Sequence, residues 1–204
     1  MAPSAAQLLD PSYTGPRPTA SIPNGGTFSV FATRTINAPA SAVYDALTDL
    51  SNWHKWNTFI PSHTVLSKPD GSDGTRLVEG MSLEMHCQMT PTMKTKGYDV
   101  VTKVGPLNTY ATRRESGDVE GRNPVTTVLW KMPNSWTGYP ACALTAERVH
   151  RIVDLGNGTC EYSSSETFGG VLAGLSNWLF GQALKDRFED WVRDVKGYVE
   201  SQKG

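Results

Sequence analysis

The stretch VLAGLSNWLFGQALKDRFEDWVRDVKGYVES, residues 171–201, decides the fold. Its apolar positions Leu175, Trp178, Leu179, Leu184, Phe188, Trp191, Val195 and Tyr198 recur mostly at three to four residues, which gathers them on one stripe of a long amphipathic helix. The first half of that helix is more apolar than the second. A helix with a single apolar stripe needs another layer to cover it, and the chain before it reads as strands.

Working back from the helix, GTCEYSSSETFGG (158–170) and ACALTAERVHRIVD (141–154) flank the turn signal LGNG and predict a hairpin. VTTVLWKM (125–132), NTYATRRE (108–115), GYDVVTKVG (97–105) and HTVLSK (63–68) also read as strand segments. GMSLEMHCQMT (80–90) has the cleanest alternation. Met81, Leu83, Met85, Cys87 and Met89 fall on one face, and Ser82, Glu84, His86 and Gln88 on the other. At the front, TFSVFATRTINAP (27–39) alternates as a strand. Pro39 then suits a helix's first turn, and Val43, Ala46 and Leu47 carry helical spacing. Asp49 or Ser51 can cap a second short helix, LSNWHKWN, on which Trp53 and Trp56 share a face. The order is one strand, two short helices, about six antiparallel strands and a long C-terminal helix. A single α+β domain over 27–201 follows, preceded by an extended or disordered arm over 1–26 that holds five prolines.

Composition narrows the function. Lys and Arg total 19 against 20 Asp and Glu, so no field exists to hold a polyanion, and nucleic acid is not an expected partner. Cys87, Cys142 and Cys160 fit neither a disulfide framework nor a zinc knuckle; reduced thiols in a cytoplasmic setting are the expectation. No apolar run is long enough to span a membrane, and the first 26 residues lack the pattern of a secretory leader. Nucleotide-, flavin- and metal-binding motifs are absent, so no cofactor is expected. The pattern sets no oligomeric state.

The motifs INAPASAVYDALTDLSNWHKWN (36–57), VLWKMP (128–133), AERVHRI (146–152) and YSSSETFGG (162–170) appear in an order that resembles the START/Bet v 1-like (SRPBCC) superfamily. Within it the chain looks like a polyketide cyclase/dehydratase or coenzyme-Q-binding-type member. The resemblance spans most of 28–200 and is carried by the positions of apolar and glycine residues rather than by a catalytic signature. It implies a helix-grip fold, in which a curved antiparallel sheet and two short helices enclose a cavity with the long helix. It implies little about activity, since this fold hosts carriers, receptors and cyclases.

Candidate site residues follow from which faces turn inward. In 158–168, Tyr162, Ser164, Glu166 and Phe168 share a face, and Phe168 marks it as inward. Arg148, His150 and Ile152 share a face that the resemblance places inward, although alternation alone leaves the face of Val149, Arg151 and Val153 open. Counting back across the turn sets Glu166 level with Arg148. The bland reading of that pair is a structural ion pair. The sharper one is proton transfer beside a carbonyl, with His150 as base and Arg148 and Glu166 assisting. Cavity-wall candidates are Trp53, Trp56, Met81, Leu83, Met85, Cys87, Met89, Trp130, Tyr162, Phe168, Leu175, Trp178 and Leu179. Methionines suit a wall that adapts to varied ligands, and equally well a plain core. Glu84 and His86 read as a solvated pair on the outer face.

Two functions stand from the sequence. One is binding of a hydrophobic small molecule such as a lipid, quinone or polyketide. The other is a cofactor-free cyclase or dehydratase that uses His150, Arg148 and Glu166.

Overall fold

The computed structural model describes residues 7, 8, 10, 12–116, 123–133 and 142–202, without the side chains of 115 and 116. Positions 1–6, 9 and 11 of the expected arm, and position 141 of an expected strand, lie outside the described residues.

Strand β1 (Phe28–Ile36) leads into helix α1 (Ala40–Thr48), then into a 3-10 helix over Leu50–Lys55. The strands β2 (Ser62–Ser67), β3 (Ser82–Gln88) and β4 (Lys94–Val104) follow. Helix α2 (Tyr110–Ser116) precedes β5 (Val125–Lys131), β6 (Thr145–Asp154) and β7 (Cys160–Gly169), and α3 (Ala173–Ser201) ends the chain. The seven strands form one antiparallel sheet in the order β1-β7-β6-β5-β4-β3-β2, so the chain's first strand closes against its last. Helix α3 packs on β1, β7 and α1. This is the helix-grip arrangement that the resemblance implied, built on the α+β order read from the sequence.

Local chemistry accounts for the joints. The Asp49 carboxylate accepts from the Ser51 backbone N–H (3.1 Å) and caps the 3-10 helix, the role the sequence offered to Asp49 or Ser51. Trp53 is locked behind it, its indole N–H donating to the Leu47 carbonyl (3.0 Å). Between β6 and β7, Gly156 and Gly158 take φ of 79° and 78° in the tight turn that fixes the register of the hairpin.

The expected strand over 108–115 is instead α2. Pro106 offers no backbone N–H to continue a ladder. Thr109 and Thr112 then exchange bonds, each side-chain oxygen accepting the other's backbone N–H (3.1 and 2.8 Å), as in a capping box.

The described part of the arm runs across the outer face of β1, β7 and β6. The Arg17 backbone N–H donates to Ser29 Oγ (2.7 Å), and the Thr167 hydroxyl donates to the Arg17 carbonyl (2.6 Å). The Arg17 guanidinium lies 4.3 Å from the Phe31 ring centre. Ser21 satisfies the buried Glu147 carboxylate with its N–H (2.6 Å) and hydroxyl (3.1 Å).

Candidate functional site

The register of the β6–β7 hairpin sets Arg148 opposite Glu166, His150 opposite Ser164 and Ile152 opposite Tyr162, all on the inner face. Arg148 and Glu166 form a buried two-point pair, with Nη2 at 2.7 Å and Nε at 3.2 Å from one Glu166 oxygen. The guanidinium also sits among four aromatic rings, with its carbon 4.5 Å from Phe188, 5.3 Å from Phe59, 5.7 Å from Trp191 and 5.9 Å from Trp130. Carboxylate and rings together offset the cost of removing this cation from water.

A third charged group joins them from β4. Asp99 faces inward, half-buried, in register with Leu83 of β3. Burial, and then the Glu166 charge, raise its carboxyl to about 7 against the pull of Arg148. Asp99 is not legible in the sequence, because GYDVVTKVG carries valines on both faces. Nothing in the stretch marks which face turns inward.

His150 is buried and bound through Nδ1 to the Tyr162 hydroxyl at 2.7 Å, and that oxygen accepts from the Trp191 indole N–H at 2.6 Å. An indole N–H only donates, so the arrangement that gives the tyrosine proton an acceptor is Trp191 to Tyr162 to His150 Nδ1. His150 is then neutral, with its proton on Nε2. Burial, followed by the nearby Arg148 charge, holds its pKa well below the usual histidine value. Burial likewise pushes the Tyr162 hydroxyl up.

Around these groups lies an aromatic cluster. Trp53, Trp56, Trp130 and Trp191 meet at 5.2–6.4 Å between ring centres, and His150 lies 4.2 Å from Trp130. Both tryptophans of the LSNWHKWN segment are therefore core residues. Met81, Leu83, Met85 and Met89 are buried on the same inner surface, and Phe168 stacks on Phe28 at 4.6 Å. Cys87 is half-buried, its thiol pushed up to about 12 mainly by burial. The structure does not bring Leu175, Trp178 and Leu179 to this interior. They lie on the first half of α3 and are 53%, 80% and 52% exposed, because the sheet meets α3 mainly along its second half.

A groove of about 400 Å3 opens at the ends of β2–β4 and is walled in part by Pro61, Cys87, Gln88 and Thr95. Gly97 separates Cys87 from Asp99: a Cβ at that position would lie 3.8 Å from the Cys87 Sγ and 4.0 Å from the Asp99 Oδ2. On its rim Ser62, His86, Glu84 and Lys96 form a polar ladder, with contacts of 3.0, 2.7 and 2.8 Å in that order. Lys96, His86 and Tyr98 hold the Glu84 carboxyl down at about 2. The outer pair read from the sequence is thus part of a longer chain of contacts. Among the described residues no three His, Cys, Asp or Glu side chains converge as metal ligands, and no helix is long and apolar enough to cross a membrane.

Residues 27–157 match the family described as "Polyketide cyclase / dehydrase and lipid transport". The chain is 30% identical over 199 residues to "Oxopyrrolidines biosynthesis cluster protein O" of Penicillium oxalicum, covering 91% of this chain and 93% of the relative. In solved structures, a hypothetical protein of Helicobacter pylori aligns with a TM-score of 0.60 at 13% identity, over 91% of this chain and 96% of the other. The Zhui aromatase/cyclase of Streptomyces aligns with a TM-score of 0.57 at 12% identity, over 85% of this chain and 94% of its own. At such identities these two structures speak to fold alone.

Proposed function

Because the chain belongs to the polyketide cyclase/dehydrase and lipid-transport family, we propose that it is a cofactor-free cyclase or dehydratase acting on a carbonyl-rich, polyketide-like chain. One observation carries the reading. Asp99 turns a third charged side chain inward from β4, opposite the buried Leu83, towards the interior that holds the Arg148–Glu166 pair, and burial raises its carboxyl above the usual aspartate range. A group with a pKa near the working pH accepts and returns protons with little penalty in either direction.

The chemistry balances without a cofactor. The Asp99 carboxylate takes a proton from a carbon flanked by two carbonyls, and the C–H electron pair becomes an enolate. Arg148 is the cation that steadies the enolate oxygen. The enolate carbon attacks a third carbonyl further along the same chain, a C–C bond forms as that carbonyl's π electrons move to oxygen, and protonated Asp99 returns its proton to the new alkoxide. A second abstraction by Asp99 beside that alcohol forms the C=C bond as the C–O bond breaks, and protonated Asp99 gives its proton to the departing hydroxide, so water leaves. In this reading His150 is not the base assigned from the sequence, because its basic nitrogen already accepts the Tyr162 proton. Glu166 keeps Arg148 in place rather than moving protons. The Penicillium relative's name as a biosynthesis-cluster protein is in keeping with a secondary-metabolic substrate.

The test is conversion of a linear β-polyketone thioester by the purified protein and by Asp99→Asn. Loss of about 100-fold or more in cyclised product is expected; an unchanged rate overturns the role of Asp99. A second reading, a carrier for a hydrophobic ligand, is favoured by the methionine-rich inner face. A hydrophobic molecule retained in native mass spectrometry, with no turnover, supports it.

A further inference from the structure

Alternation gives β6 and β7 a second face, turned away from α3. On it Val149 and Arg151 stand opposite Ser165 and Ser163, and Phe31 of β1 stands opposite Ser165 on the other side. A groove of about 290 Å3 lies over these residues. Its other wall is the N-terminal arm, through Leu8, Arg17 and Pro18. The groove is thus on the opposite side of the sheet from Arg148, His150 and Glu166.

Its walls carry cations and no carboxylate. Arg17 is engaged within the arm. Its guanidinium donates to the carbonyls of Leu8 (3.1 Å), Asp10 (2.8 Å) and Tyr13 (3.0 Å) and rests on the Phe31 ring. The Asp10 carboxylate close by is taken up by the N–H and hydroxyl of Ser12 (2.8 and 2.7 Å). Arg151 differs. It is half-buried, and among the described residues nothing hydrogen-bonds its guanidinium. Glu161, further along β7, acts on it through charge alone, while burial works against the cation. Beside it stands Ser163, 6% exposed, whose hydroxyl also has no hydrogen-bond partner among the described residues.

The chemistry of an occupant follows. A half-buried guanidinium is best matched by a planar pair of oxygens that meets its fork of N–H donors. Leu8, Pro18, Phe31 and Val149 line the rest of the groove and suit an apolar body. A metal ion or an amine would meet two arginines, and inorganic phosphate would set its oxygens against apolar walls.

We propose that this groove binds a small organic acid with an apolar body, its carboxylate on Arg151 and the Ser163 hydroxyl. The site is separate from the chemistry assigned to Asp99 on the inner face. Because its walls come from both arm and strands, the ligand binds the docked arm and not the lifted one. Occupancy therefore holds the arm on the sheet by mass action.

Benzoate and benzamide test the proposal, since they have nearly the same shape and only benzoate is charged. Their Kd values are measured by NMR titration of the full chain. Benzoate is expected to bind more tightly and to move the Val149 methyl and Arg151 Nε–H signals, leaving the Met81 and Met85 methyls of the inner face in place. Equal affinities, no binding, or movement of the methionine methyls instead overturns the site. Arg151→Gln is expected to cut the preference for benzoate over benzamide about tenfold or more; an unchanged preference overturns the role of Arg151. The Arg17 amide, which bonds Ser29 Oγ, reports on the arm. Its hydrogen exchange is expected to slow about tenfold when benzoate stands at about ten times its Kd. Unchanged exchange in the presence of bound benzoate removes the arm from the site. Should Arg151→Gln fail to fold, Ser165→Leu fills the groove without altering its charge and must weaken benzoate to a similar extent; unaltered binding overturns the proposal.

Discussion

At the scale of single residues, the interior is governed by which charges are paired. Arg148 and Glu166 are both buried, so removing one strands the other. Arg148→Met is expected to cost about 3–5 kcal/mol in urea unfolding, and adding Glu166→Leu should recover much of that loss. A double variant no better than the single would mean that the pair contributes little. Asp99 gives the opposite sign. Its folded-state pKa of about 7 lies above the ordinary aspartate value, so the folded chain holds a proton that the unfolded chain has released. Its stabilising contribution is full below about pH 4 and is lost as pH rises through about 7. Asp99→Asn, neutral throughout, is expected to gain stability relative to wild type between about pH 5 and about pH 8. Parallel unfolding profiles would place the Asp99 carboxyl back in the usual range. The Arg148–Glu166 register was legible in the sequence because a glycine turn and strict alternation allow positions to be counted. Asp99 was not, because valines stand on both faces of its strand and the register shifts between Val101 and Lys103.

At the scale of elements, α3 divides into two halves with different work. Phe188, Trp191, Val195 and Val199 are buried against the rest of the molecule, and Trp191 also anchors the Tyr162 hydroxyl. Trp191→Ala is expected to cost roughly 3–5 kcal/mol and to reduce the near-ultraviolet circular dichroism of the tryptophan cluster. Trp178→Ala, on the exposed half, is expected to stay within about 0.5 kcal/mol of wild type by denaturant unfolding. Periodicity made the helix and its stripe legible, but it does not reveal how far the sheet reaches along that stripe. This is why Leu175, Trp178 and Leu179 read as cavity wall from sequence. Helix α2 was missed for a more local reason. Two threonines three apart favour either a strand or a mutual cap, and their reciprocal bonds decide for the cap.

At the scale of the whole molecule, the order of elements and the family were legible because period, turn signals and length change together along the chain. The course of the arm was not, since its prolines rule out regular structure without naming a surface. The arm supplies the bonds that satisfy Glu147. Deleting residues 1–26 is expected to lower the melting temperature measurably, with a loss of about 1–3 kcal/mol for the carboxylate left without partners. An unchanged Tm would mean that water replaces Ser21 without penalty. The three cysteines add a practical consequence. Cys160 is buried, and the Cys87 thiol is held protonated at about 12, whereas Cys142 is exposed. Maleimide therefore has one ready target in the folded protein, since only a thiolate attacks. The Cys142 carbonyl accepts the Val171 N–H at the foot of α3, so a fluorophore attached there becomes an optical reporter seated beside the exposed tryptophan half of the helix.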